Sequence, residues 1–363
     1  MPATPATPAA SERLMRAVIR TLGALPEPIQ RVIAGRPVVV DGQRLYTEVQ
    51  MALRLLNALP GSDFSDLPLD RARAQIDAEA RIFGGSLPVA SVDDIEIPTR
   101  AGSVRARRYQ HVREAEGTVV YFHGGGWVVG SLDSADSVCR FIAATSGLEV
   151  ISVDYRLAPE HPFPAGVEDA IDSYRWVREH RPGRRIAVAG DSAGGNLSAV
   201  VSLATVGDAA GAPDFQVLFF PVTDLSGKHR SYRLFSDGYF LTEKQMDWYR
   251  GHYLPTPAHA LDPFASPLRA GASALTKLPP AHVAVSGFDV LRDEGIAYAE
   301  RLKDAGVPTT LQVVDGHIHA FVNATGVGRL SSRALAESVG VLVGGLGGRT
   351  GIADAASLAP SKR

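Results

Sequence analysis

The stretch "RIAVAGDSAGGN", Arg185 to Asn196, decides how this chain must be read. A short apolar run of strand character, Ile186–Ala189, ends on Gly190. Ser192 follows two residues later, and a helical pattern sets in from Ala193. Gly190-x-Ser192-x-Gly194 thus sits between a strand and a helix, the context in which G-x-S-x-G forms a sharp elbow. The flanking glycines let the two elements approach while the serine holds a strained turn and projects its hydroxyl. The start of the helix favours negative charge there.

Outward from the elbow the same alternation recurs. Apolar runs at Thr118–Phe122, Val150–Val153, Val217–Phe220, His282–Ser286 and Thr310–Val314 are separated by helical patterns near 133–146, 165–180, 193–206, 292–306 and 327–345. Continuous apolar strands between helices mean an α/β protein, with a mostly parallel central sheet flanked by helices. Ahead of them, "VDDIEIPT" and "SVRARRYQ" alternate as an antiparallel pair. In such sheets ligands bind beyond the carboxyl ends of the strands, so chemistry is sought after each strand.

The rest of the chain departs from that alternation. Residues 1–10 form a Pro/Ala/Thr tail expected to be disordered, as is 347–363. Residues 11–85 read as helices: Leu14, Met15, Val18, Ile19 and Leu22 recur on one face, with Arg13, Arg16 and Arg20 on a solvated one. Further helices are expected over Arg44–Leu59 and Leu69–Phe83. Within the sheet-forming body, 86–346, the long aromatic segment near 225–262 carries one clear helix, Glu243–Tyr253. A connection of that length is a functional insertion. Together with 11–85 it reads as a helical cap.

Composition narrows the function. The 363 residues are 45% hydrophobic and 21% charged, with a formal net charge of −2 and no basic stripe, so no nucleic-acid partner is expected. No apolar run reaches about 18 residues, so no stable membrane insertion is expected. The first residues lack the pattern of a secretory signal. The single Cys139 excludes an internal disulfide and reads as a packed core thiol. A cytoplasmic protein is expected, and a homodimer is compatible with this composition.

A serine hydroxyl needs a base, and the base a third group to hold it. After "TLQVV" comes "DGHIHAF", with His317 and His319 two apart, so that only one of them faces Ser192. An H-x-H metal site finds no nearby acidic or cysteine cluster, and no metal or cofactor is expected. After "AHVAVSGF" come Asp289 at the strand's exit and Asp293 in the next helix's first turn; Asp224 after "LFFPVT" rivals Asp289. The order Ser, Asp, His is that of the α/β-hydrolases. "YFHGGGW", Tyr121–Trp127, then has a use. Attack on a carbonyl creates an oxyanion, which needs N–H donors at about 2.7–3.1 Å. Gly124, Gly125 and Gly126 would supply two of them, Gly125 included, and Ala193 another. Trp127, Asp191, Tyr239 and Phe240 are the expected pocket residues.

"HGGGW", "VDYRLAPEHPFPA", "GDSAGGN", "DGYFLT", "SGFDVLRDEG" and "DGHIHAF" together resemble the bacterial hormone-sensitive-lipase-like family of esterases, over about residues 110–335. The resemblance implies an α/β-hydrolase fold with a helical cap, no cofactor, and hydrolysis of small carboxylic esters. Carried over by motif, Ser192 is the nucleophile, His319 the base and Asp289 the acid. The family usually has proline at Val290 and commonly glycine at Ala320, and neither position is a reacting group. Asp154, Arg156, Glu160 and His161 read as a structural network. Two other functions fit the fold: amide hydrolysis, and ligand binding as in gibberellin receptors, which resemble this family but lack the catalytic histidine.

Overall fold

Gly117–Phe122 is buried along its whole length, and its alternate residues enter two different cores. That is the signature of a strand covered on both faces. The computed structural model describes residues 10–58, 63–112 and 114–348. Both tails expected to be disordered therefore lie outside the described residues, apart from Ala10, Gly347 and Gly348.

The chain begins with α1 (Ala10–Gly23), α2 (Glu27–Ala34), a small hairpin of β1 (Val39–Val40) and β2 (Gln43–Arg44), α3 (Thr47–Asn57) and α4 (Leu69–Phe83). The sheet region follows: β3 (Ser91–Thr99), β4 (Gly102–Gln110), β5 (Gly117–Phe122), α5 (Asp136–Ser146), β6 (Glu149–Val153), α6 (Ala165–His180), β7 (Arg185–Asp191), α7 (Ala193–Ala204) and β8 (Phe215–Phe219). After α8 (Arg230–Leu234), α9 (Glu243–Tyr253) and α10 (Ala272–Leu275) come β9 (Ala281–Phe288), α11 (Arg292–Asp304), β10 (Thr309–Ile318) and α12 (Leu330–Gly345).

Eight strands join in the order β10-β9-β8-β7-β5-β6-β4-β3. β5 to β10 pair in parallel, whereas β4 is antiparallel to both β3 and β6. Val119, Tyr121, Ala187 and Val217 pack one face against α5 and α12 through Cys139, Ile142, Leu335 and Val339. Val120, Phe122, Ile186 and Val188 pack the other against α6 and α7 through Ile171, Tyr174 and Leu197. Burying each valine, leucine, isoleucine or phenylalanine among them contributes about 1.5–3 kcal/mol. Among the described residues no helix is long and apolar enough to cross a membrane.

The first 85 residues differ from the sequence expectation in three ways. The arginine face of α1 is not uniformly solvated: Arg16 turns inward and donates to Gly84 O at 3.2 Å, while Leu14, Met15 and Val18 are exposed. Polar ties to α4 account for this orientation, since Glu12 also pairs with Arg81 at 3.0 Å. The helix expected from Arg44 begins at Thr47, because Arg44 belongs to the hairpin closed at Asp41-Gly42, both at positive φ. Asp-Gly is the usual chemistry of such a turn. The helix α2, not expected from the sequence, starts after Pro26 and is only eight residues long, with Gln30 and Ala34 buried.

Candidate active site

The sharp turn after β7 has a steric cause. A Cβ on Gly194 would collide with Phe122 O and His123 O, so only glycine lets α7 start this close to β5. Ser192 takes φ 56° and ψ −115°, a conformation that non-glycine residues hold only when the surroundings enforce it. Its N–H donates to Phe219 O at 2.9 Å, and its carbonyl accepts from Val222 N at 3.2 Å, which tie the elbow to the end of β8.

β9 and β10 lie next to each other in parallel, and the residues just past their ends meet. His319 Nδ1 stands 2.7 Å from Asp289 Oδ2, with both residues buried. With the Asp289 oxygen as acceptor, Nδ1 is the donor, and in the neutral ring the lone pair is on Nε2. Asp289 Oδ1 is itself held, accepting from Leu291 N at 2.9 Å. Ser286 Oγ donates to Ile318 O at 2.8 Å, fixing the end of β10 against β9. Ala320 has φ 66°, the left-handed conformation that suits glycine. No hydrogen bond joins Ser192 Oγ to His319 Nε2 among the described residues. Phe220, which follows the Ser192-bonded Phe219, sets its ring centroid 4.5 Å from that of His319.

The rival residues have other partners. His317 Nε2 lies 3.1 Å from Ser331 Oγ, and burial lowers its pKa to about 4. Asp224 accepts from Ser226 and Arg269, with His229 alongside. Burial would raise its pKa, but those hydrogen bonds prevail and hold it well below the usual carboxylate range. Asp293 accepts from Ser231 N and Arg292 Nε.

Of the glycine amides, that of Gly124 is already engaged, donating to Asp191 Oδ1 at 3.0 Å. Among the described residues, no hydrogen bond engages the N–H groups of Gly125, Gly126 or Ala193. The Asp191 carboxylate accepts from Tyr121 Oη at 2.7 Å as well, and burial raises its pKa. It is a strut beneath the glycine turn. Trp127 is 1% exposed and stacked on Tyr253 with ring centroids 4.0 Å apart. Tyr239 packs on Phe235 and Phe288, and Phe240 is 37% exposed. Asp154, Arg156 and Glu160 do not bond to one another. They pair with Arg105, Asp169 and Arg73 respectively. Sequence reasoning missed the roles of Tyr121 and Phe220, since each reads as one more apolar residue in a strand.

Residues 119–323 match a family described by the α/β-hydrolase fold. The carboxylic ester hydrolase LipN of Mycobacterium tuberculosis is 38% identical over 339 residues, which cover 89% of this chain and 89% of LipN. An ethyl acetate hydrolase of Pseudomonas putida is 37% identical, over 70% of this chain and 84% of its own length. Among solved structures, an ester hydrolase from the metagenome of Lake Arreo superposes with a TM-score of 0.79 at 38% identity, covering 84% of this chain and 99% of that one.

Proposed function

Because this chain belongs to the hormone-sensitive-lipase-like family of α/β-hydrolases, we propose that it is a serine carboxylesterase acting on short- to medium-chain esters through an acyl-enzyme. The observation that carries the residue assignment is the 2.7 Å contact of His319 Nδ1 with Asp289 Oδ2, on the loops that follow adjacent strands. In this reading His319 Nε2 takes the proton of Ser192 Oγ as the oxygen attacks the ester carbonyl. The tetrahedral intermediate places its negative oxygen among the N–H groups of Gly125, Gly126 and Ala193. As it collapses, His319 returns the proton to the leaving alcohol. Water then repeats the sequence on the acyl-enzyme, releasing the acid and free Ser192.

Asp289 orients the imidazole and stabilises its charged form without taking the proton. Residues 11–85 and the segment near 225–262 form the cap, joined where Phe64 meets Trp248 and Tyr249. The substrate is a small ester, and the enzyme works in the cytoplasm. A p-nitrophenyl ester series combined with fluorophosphonate labelling tests the assignment. Hydrolysis with label on Ser192 is expected, and label elsewhere, with activity surviving Ser192→Ala, would refute it.

A further inference from the structure

We propose that two tyrosines of α9, Tyr249 and Tyr253, are positioning residues that hold the oxyanion turn in its working shape. The inference rests on the esterase reading above and extends it to how the cap reaches the chemistry. Three consecutive residues of the turn have positive φ: Gly125 at 111°, Gly126 at 57° and Trp127 at 60°. For a residue as large as tryptophan that conformation is an outlier, which persists only when neighbours over-determine it.

The neighbours are aromatic rings from α9. The indole of Trp127 lies flat on Tyr253, with centroids 4.0 Å apart and planes 4° apart. The ring of Tyr249 fills the space where a side chain on Gly126 would stand. Trp127 Nε1 and Tyr253 Oη are both buried without a hydrogen-bond partner among the described residues. The pair is thus held by ring packing, and the Tyr253 hydroxyl adds nothing to it. On the other side of the turn, Val128 N and Val129 N both donate to Gly125 O, and Ala158 N donates to Trp127 O. The backbone is pinned there and gripped by α9 at Gly126 and Trp127.

The helix α9 is itself well placed to transmit cap position. Its start is fixed by a reciprocal cap between Thr242 and Gln245, and Lys244 pairs with Asp63 and Asp66. Tyr249 also touches Phe64, whose ring centroid lies 5.6 Å away. Seating of the N-terminal segment on α9 and the aim of the Gly125 and Gly126 amides are therefore linked through two rings.

An oxyanion exists only beyond the ground state, so loosening its donors lowers kcat and leaves KM nearly unchanged. Removing one donor outright costs about 10²–10³ in kcat, and a loosened turn should cost about tenfold or more. The test compares Tyr253→Ala, Tyr253→Leu, Tyr253→Phe and the same three changes at Tyr249. Each is assayed for kcat and KM on p-nitrophenyl butyrate and for inhibition by a butyl trifluoromethyl ketone, which forms a tetrahedral adduct on serine. The Ala and Leu variants should lose kcat and trifluoromethyl ketone affinity by the same factor, while Phe at either position restores both. Where an Ala variant does not fold, the Leu variant, folded by its melting temperature, carries the measurement. Retained kcat in both Leu variants, or a raised KM with kcat intact, would overturn the proposal while leaving an active wild type. A wild type inert to esters and fluorophosphonates would overturn the esterase reading itself, and this inference with it.

Discussion

His319 and Asp289 meet at 2.7 Å from the ends of two parallel strands, while His317, two residues earlier, is bonded to Ser331 on α12. The two histidines therefore answer differently to the same substitution. His319→Ala should lower kcat by orders of magnitude, whereas His317→Ala should change stability and leave kcat close to wild type. Asp289→Asn should cost about 10⁴ in kcat, because the amide holds the wrong tautomer. Asp224→Asn should lower the melting temperature instead, since it weakens the bonds to Ser226 and Arg269. Steady-state kinetics on one ester decide it, and a crippled Asp224→Asn with an active Asp289→Asn would move the acid to the end of β8.

Most of this was readable in the sequence because the sheet is buried on both faces. Two-sided burial forces continuous apolar runs, and each run's end marks a place for chemistry. The residue types then identify Ser192, Asp289 and His319 as candidates, while partner geometry separates His319 from His317. What could not be read is long-range. Asp191 ends the strand that the serine follows and looks like a pocket residue, but Gly124 and Tyr121, some 70 residues earlier in the chain, claim its carboxylate. Trp127 adjoins the glycines and is claimed by Tyr253. The hairpin at Asp41-Gly42 carried a recognisable turn signal, and its two-residue strands were too short to register as a pattern.

The strut beneath the glycine turn gives a second prediction. Asp191→Ala leaves the buried Tyr121 Oη without its acceptor, at about 1–3 kcal/mol, and frees the half-buried Gly124 N. Stability should fall and kcat with it, because Gly124 is then free to shift the amides that follow. Asp191→Asn keeps an acceptor oxygen and should lie between the alanine variant and wild type. Thermal melting and kcat measured on the same preparations check both. An alanine variant with unaltered melting and rate would mean the strut carries no load.

Acid stability supplies a third. His282 and His317 are both buried, and burial lowers each to about 4 from an ordinary 6.5. Above pH 6.5 both are neutral in the folded and unfolded chain, and their ionisation does not affect stability. As the pH falls from 6.5 to 4 the unfolded chain takes up the protons and the folded chain does not, so stability declines. The loss amounts to about 3 kcal/mol per residue and levels off once the folded histidines protonate. Replacing both by glutamine should flatten the melting temperature across that interval relative to wild type. An unchanged slope in the double variant would assign the acid sensitivity elsewhere.

The last prediction concerns acyl length. The segment near 225–262 holds Tyr232, Phe235, Tyr239, Phe240, Trp248, Tyr249 and Tyr253. Tyr232, Phe235, Tyr249 and Tyr253 are buried in the core, which leaves Tyr239, Phe240 and Trp248 with surface to offer a ligand. A pocket walled by so few rings fills early. Each added CH₂ should contribute up to about 0.8 kcal/mol, a factor of about four in kcat/KM, while the chain still finds apolar wall. The gain should stop between about four and eight carbons, as the wall ends, and longer chains must pay for ordering without new contacts. Measuring kcat/KM from acetyl to palmitoyl esters, below and above their solubility limits, follows the rise and its end. A maximum at palmitoyl, or a jump in rate when an oil phase forms, would mean that the cap opens on a lipid surface. A flat series would mean that none of the three rings meets the acyl chain and that the site stands open above Ser192.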